Sequence, residues 1–208
     1  MVRCFSCSVI LISVLILLQG CIFKKQCSVL QTFTSEQEKQ QAWIHHQQQI
    51  LPVTAWQVTG RAGIRTAKKA LSAGISWQQN HTRYLLMLKN PLGQPVLKLS
   101  GYPDHYVLQT SGNKPVTGSN VRQLVFDETG WEIPFDALSY WMRGIPLPEI
   151  PASTELNDQG RLAMLNQSGW KIIYSQYTCF GKYILPSRIR LIHNDFNIIL
   201  SLLWDRVR

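Results

Sequence analysis

The side chains of this chain that could do chemistry are few and ungrouped: five histidines and five cysteines among 208 residues. His45-His46 fall in a Gln-rich segment, and His81, His105 and His193 fall at turns or strand ends. None has a carboxylate at a fixed spacing, so each histidine is expected at the surface. There is no Gly-x-Ser-x-Gly elbow, no His-Glu-x-x-His pair and no phosphate-cradling loop. These absences argue against an enzyme, a nucleotide site and a cofactor. Two other positions stand out. Cys21 directly follows an apolar run, and Leu92 sits in Asn90-Pro91-Leu92-Gly93, a turn pattern between two strand-like runs. A large apolar side chain at a hairpin tip loses solvation and gains no core contact unless something apolar meets it. Both positions point to apolar contact, not bond breaking; for Leu92 the residues alone favour a side chain folded back over the sheet edge, and a protruding one is the alternative.

The apolar run fixes the meaning of Cys21. Arg3 leads into residues 9–18, a core too short for a comfortable membrane span, and the small Gly20 precedes the cysteine. Residues 1–20 therefore read as a secretory signal peptide. Leu18-Gln19-Gly20-Cys21 resembles the lipobox of bacterial lipoproteins, in which the cysteine becomes the first mature residue and carries acyl chains on thiol and amine. An uncleaved anchor helix is the alternative, and either holds the chain at a membrane. At about 0.8 kcal/mol per buried methylene, one acyl chain binds a bilayer marginally and several bind firmly. The next residue is Ile22 and not Asp. By resemblance to the sorting pattern of Gram-negative lipoproteins, that favours the outer membrane, with the chain facing the periplasm.

A mature chain of roughly 190 residues is expected to form one domain burying about 70% of its unfolded surface. The division is 1–20 signal peptide, 21–34 lipidated tether and 35–208 single domain, monomeric by default. With Cys4 and Cys7 in the leader and Cys21 acylated, Cys27 and Cys179 remain, and no zinc spacing survives. The two could pair, but the place of Cys27 in a tether argues against a structural disulfide. The formal charge is +9, and the leader contributes only Arg3, so the mature part keeps +8. Such a balance suits an anionic lipid surface, an acidic partner or nucleic acid, and export argues against the last. Along the sequence the charge is scattered, at Lys24-Lys25, Lys68-Lys69 and Arg188/Arg190.

The elements that must position Leu92 are legible in the pattern. Ser35-x-x-Glu38 is a capping box that opens a mostly solvated helix over 35–48, held on by Trp43. Alternation over 56–64, 73–78, 84–88, 96–99 and 105–110 predicts short strands. Helices are expected over 119–128 and 135–143, ending near Gly130 and Gly144. Strands resume at 161–167, 170–177, 187–192 and 198–204. The architecture inferred is mainly β: one strongly curled antiparallel sheet with a helical insertion. Alternation assigns Leu86, Leu88, Ile189 and Leu191 inward, and most tryptophans, Trp77 and Trp141 among them, belong to the interior.

Several landmarks share an order with a known family: Trp77-Gln78-Gln79, Asn90-Pro91-Leu92-Gly93, Ile133-Pro134 ahead of Leu138 and Trp141, Gly144-x-Pro146, Gly169-Trp170-Lys171 and Leu185-Pro186. From about 56 to 204, behind a lipobox, the chain resembles the LolB family of outer-membrane lipoprotein receptors. The resemblance implies an unclosed antiparallel β-barrel whose helical lid encloses a hydrophobic cavity. It implies cargo: lipoproteins accepted from a LolA-type carrier and inserted into outer-membrane lipid. It also implies that Pro91, Leu92 and Gly93 form the membrane-insertion loop. Interior and cavity coincide in an open barrel, so Trp77, Leu86, Leu88, Trp141, Ile189 and Leu191 are the expected acyl-chain wall. Cys27 and the segment 178–182 depart from the pattern. A binding lipoprotein for a small apolar ligand and a structural envelope lipoprotein are the alternatives.

Overall fold

The computed structural model describes residues 31–67 and 69–208. Helix α1 (Glu36–Ile50) opens on Ser35, whose hydroxyl accepts from the Glu38 N–H while the Glu38 carboxylate accepts from the Ser35 N–H, the reciprocal cap expected from the sequence. Its buried face is Trp43, His46 and Ile50. Burial of His46 corrects the expectation that every histidine is a surface residue: positions 43, 46 and 50 share one face at helical spacing, and His46 stacks on Trp43.

Eleven strands follow: β1 (Ala55–Arg65), β2 (Ala70–Asn80), β3 (Arg83–Lys89), β4 (Pro95–Tyr102), β5 (His105–Thr110), β6 (Val116–Gly118), β7 (Ala152–Leu156), β8 (Leu162–Gln167), β9 (Trp170–Phe180), β10 (Tyr183–His193) and β11 (Phe196–Val207). They form one sheet in the order β6-β5-β4-β3-β2-β1-β11-β10-β9-β8-β7, antiparallel at every pairing. The first and last strands thus pair in the middle, which leaves β6 and β7 as unpaired edges. The chain between those edges carries α2 (Val121–Thr129) and α3 (Phe135–Met142). A Cβ at Gly60 would collide with the Ser201 carbonyl, so glycine lets β1 and β11 approach closely where the sheet curls.

Alternation sorts the side chains. Trp56, Val58, Ala62 and Ile64 of β1 face the core, as do Ile198, Leu200, Leu202 and Trp204 of β11. Indole N–H groups taken inside find acceptors: Trp204 donates to the Pro186 carbonyl at 2.8 Å, Trp77 to Gln79 Oε1 at 3.0 Å. Cys179 is disulfide-bonded, which corrects the expectation against a structural disulfide; every other cysteine, Cys21 and Cys27 included, lies outside the described residues. Among the described residues no helix is long and apolar enough to cross a membrane.

Candidate functional site

The β3–β4 turn is built around one side chain. Asn90 Oδ1 accepts from the N–H groups of Leu92 and Gln94, both at 3.0 Å, and the Asn90 carbonyl accepts from Gly93 at 2.9 Å. The Asn90 N–H donates to the Gln94 carbonyl, closing the hairpin. Gly93 has φ +82°, the left-handed conformation that a side chain disfavours, with open space around it. Leu92 projects from this frame with 84% of its surface exposed, so it does not fold back over the sheet edge. The turn satisfies its polar groups and leaves its apolar one in water.

Beneath this end of the sheet lies an apolar cavity. Leu86 and Leu88 of β3, Leu191 of β10, Leu200 of β11 and Trp170 of β9 form its walls, and Trp131, Ile133, Phe135, Leu138 and Trp141 of the insertion close it. No polar atom reaches its surface, and its free volume is about 40 Å³. At roughly 10–15 Å³ per water, that admits about three waters and is too small for an acyl chain. Of the residues assigned from sequence, Leu86, Leu88, Trp141 and Leu191 meet here. Ile189 is buried but stands outside the wall, and Trp77 lies towards the other end of the sheet. There it lines a separate pocket of about 340 Å³ with Trp56, Tyr84, Tyr106 and Phe135. The Tyr84 hydroxyl is buried without a hydrogen-bond partner, and burial raises its pKa.

Sequence reading missed the residues that fix the insertion. Gln167 of β8 is 2% exposed and holds four groups: Oε1 accepts from Trp141 Nε1 at 2.8 Å and the Leu147 N–H at 2.9 Å, while Nε2 donates to the carbonyls of Leu147 and Ile150. The Tyr174 hydroxyl donates to the Trp141 carbonyl at 3.0 Å. Arg143, at the end of α3, donates from Nη1 to the carbonyls of Val53 at 2.6 Å and Ile50 at 3.3 Å, and from Nε to the Ser139 carbonyl. Burial lowers the pKa of this guanidinium, and the Tyr140 ring lies 4.6 Å from its carbon. Helix α3 is therefore bolted to β8, β9 and the α1–β1 junction. By contrast, among the described residues no side-chain hydrogen bond joins α2 to the sheet; α2 is held by Val121, Leu124 and Val125 and exposes Phe126. One half of the cover is held by hydrogen bonds, the other by apolar packing.

The model of the family "Outer membrane lipoprotein LolB" matches residues 54–204. Outer-membrane lipoprotein LolB of Cellvibrio japonicus is 36% identical over 160 residues, 74% of this chain and 79% of the relative. The protein of the same name from Pseudomonas syringae is 33% identical over 158 residues, 76% of this chain and 77% of the relative. A solved structure of a DUF1329 family protein from Desulfovibrio piger is similar in fold alone, with a TM-score of 0.52 and 8% identity over 83% of this chain and 92% of that one. A matched span that runs from the start of β1 into β11, taking in the Leu92 turn and both cover helices, places this chain in the LolB family of outer-membrane lipoproteins.

Proposed function

We propose that this chain is anchored in the outer membrane through an acylated Cys21, accepts lipoproteins from a LolA-type periplasmic carrier and releases them into outer-membrane lipid. In this reading residues 21–34 are the tether and 35–208 the receptor domain, acting as a monomer. The observation that carries it is the coincidence of an exposed, rigidly framed Leu92 with a wholly apolar cavity at the same end of the sheet. Acyl chains crossing water lose about 0.8 kcal/mol per exposed methylene, so transfer needs a continuous apolar route. The small cavity supplies one once its cover moves. The part without hydrogen bonds to the sheet, α2 with Trp131 and Ile133, is the part to yield, while the bolts on α3 keep Trp141 and Leu138 in the wall. Leu92 then enters the bilayer interface and lowers the barrier for cargo to leave.

No nucleotide site is needed, because each step runs down an affinity gradient from carrier to receptor to membrane. The test is a transfer assay with carrier-bound lipoprotein, the soluble chain beginning at Ile22, and liposomes. Wild type takes up cargo and delivers it; Leu92→Glu takes up cargo and fails at delivery. No uptake by wild type overturns the receptor reading, and normal delivery by Leu92→Glu overturns the role of the turn.

A further inference from the structure

Four arginines far apart in sequence, Arg61, Arg65, Arg188 and Arg190, lie on neighbouring strands on the outer face of the sheet, which corrects the reading of a dispersed charge for these residues; Lys24, Lys25 and Lys68 lie outside the described residues. Across the ladder, Arg61 of β1 pairs with Ser201 of β11, which pairs with Arg188 of β10. One step further along, Gly63 pairs with Ile199, which pairs with Arg190, and Arg65 pairs with Asn197 beyond that. Arg61 also pairs through Gly74 with Lys89, the last residue of β3 before the Leu92 hairpin. With strands about 4.8 Å apart and same-face residues about 7 Å apart, each arginine sits within about 12 Å of the next. That is close to one Debye length, so their potentials add.

All four arginines are exposed. Among the described residues the ion pairs are those of Lys39 with Glu36 and Asp158, so none of the four is in ion-pair contact with a carboxylate. Arg190 Nε donates to Asn197 Oδ1 at 3.0 Å, which holds one guanidinium along the face. Asp205 is the acid on this face of β11, two residues beyond Leu203. Among the arginines stand apolar side chains: Leu203 is 68% exposed and Ile199 38%. Crowded like charges destabilise the sheet, and Leu203 gains nothing from the core, so neither feature is explained by folding.

We infer that this outer face of β1, β11 and β10 is a docking surface for an anionic phospholipid bilayer. Guanidinium groups beside apolar side chains match the layer where lipid phosphates meet acyl chains. The bilayer is favoured over an acidic protein by position. The patch lies on the side of the sheet away from the cavity, so a carrier delivering cargo to that cavity has no need of it. Its row runs through Lys89 to the hairpin that bears Leu92, so docking brings that tip to the same surface. The inference rests on the membrane residence proposed above.

The test uses the chain beginning at Ile22, which folds without its leader because its buried core runs from Trp43 to Trp204. Co-sedimentation is measured with vesicles of mixed phosphatidylglycerol and phosphatidylcholine, and with phosphatidylcholine alone. Wild type should bind the anionic vesicles, less so as salt is raised. Each arginine near the surface is worth about fivefold in binding, so Arg61→Gln/Arg65→Gln/Arg188→Gln/Arg190→Gln should bind roughly several hundredfold more weakly. Leu203→Glu should weaken binding on the order of tenfold, and Arg83→Gln/Lys182→Gln, exposed charges at the end of the sheet away from the Leu92 hairpin, should leave it unchanged. Circular dichroism checks that each variant is folded. Equal binding by the four-arginine variant, or equal losses from the Arg83/Lys182 control, overturns the inference. So does a four-arginine variant that keeps vesicle binding but loses cargo uptake, which would hand the face to an acidic protein. Vesicle binding as described, with no cargo uptake by wild type, would instead defeat the receptor reading and leave the surface standing.

Discussion

Where β3 turns into β4, an apolar side chain stands in water while the N–H groups around it are all bonded. At the other end of the sheet the situation is reversed: Arg143 and His46 are buried among apolar groups, 5% and 6% exposed. Both arrangements oppose folding. The first leaves Leu92 out of the core at little cost, since one exposed leucine is within the ordinary range of surfaces. The second is tolerable only where partners compensate. The Arg143 guanidinium satisfies three carbonyls of the α1–β1 junction and α3. The contrast predicts that the Leu92 end can be altered with little loss of stability and large loss of function, whereas changes at the Arg143 end act on stability.

The sharpest way to break that contrast is Arg143→Met. It removes the guanidinium donors from the carbonyls of Val53 and Ser139 and leaves Ile50 with the Val53 N–H alone, and should lower stability by about 3 kcal/mol in urea unfolding at neutral pH. A loss under about 1 kcal/mol would show that water reaches these carbonyls and that the bolt on α3 is not structural.

His46 sharpens the same side. Burial first, then the charges of Arg161 and His45, pushes its pKa down to about 4. The folded-state value lies below the unfolded one, so the unfolded chain binds the extra proton. The stabilising contribution is fully present above about pH 6.5 and is lost as pH falls towards 4. By linkage the loss approaches about 3 kcal/mol at pH 4. Urea unfolding of wild type and His46→Gln across this range should show the slope in the first and a flatter profile in the second. Parallel profiles would mean that another group carries the pH dependence.

The contrast also marks what could be read from sequence. Strands with one buried face were visible because alternation is a local signal: 84–88 and 105–110 lie within the observed β3 and β5. The two edge strands were not. β6 has three residues, and β7 exposes every residue but Leu156, so neither offers a period to detect. Pro186 hid the first half of β10; the strand carries it at a register shift against β9. Leu92 was found because a large apolar residue in a tight turn is anomalous on its own. Gln167 and Arg143 could not be found, because their partners are backbone carbonyls as much as 93 residues away. The arginine patch escaped for a related reason: Arg61 and Arg188 become neighbours only through the pairing of both β1 and β10 with β11. The placing of Trp77 in a second pocket likewise depends on position along the strand, which alternation does not report.

At the Leu92 end the expected energies are smaller. Gly93→Ala meets no atom within 4 Å, so only the left-handed backbone resists it, at a cost of about 1 kcal/mol. The effect should appear as a modest stability loss together with slower delivery of cargo to liposomes, because a relaxed turn no longer holds Leu92 outward. Gly93→Asn, which tolerates the left-handed region better, should recover most of both. A delivery defect that persists in Gly93→Asn would show that the glycine itself, and not the turn conformation, is what the membrane step requires.

The smallest stability effect belongs to Leu92→Glu. The side chain is 84% exposed and its replacement disturbs none of the turn's hydrogen bonds, so unfolding should shift by less than about 0.5 kcal/mol. Delivery of cargo should nevertheless fail, because a carboxylate at the tip opposes entry into the bilayer interface. The pairing of these two readouts carries the comparison to its end. If Leu92→Glu destabilised the protein as much as Arg143→Met, the leucine would be packing against something in solution, and the distinction between a structural end and a working end would collapse. If stability held while delivery was lost, the exposure of Leu92 would be the property that the fold preserves, and the hydrogen-bonded frame of Asn90 its means of preserving it.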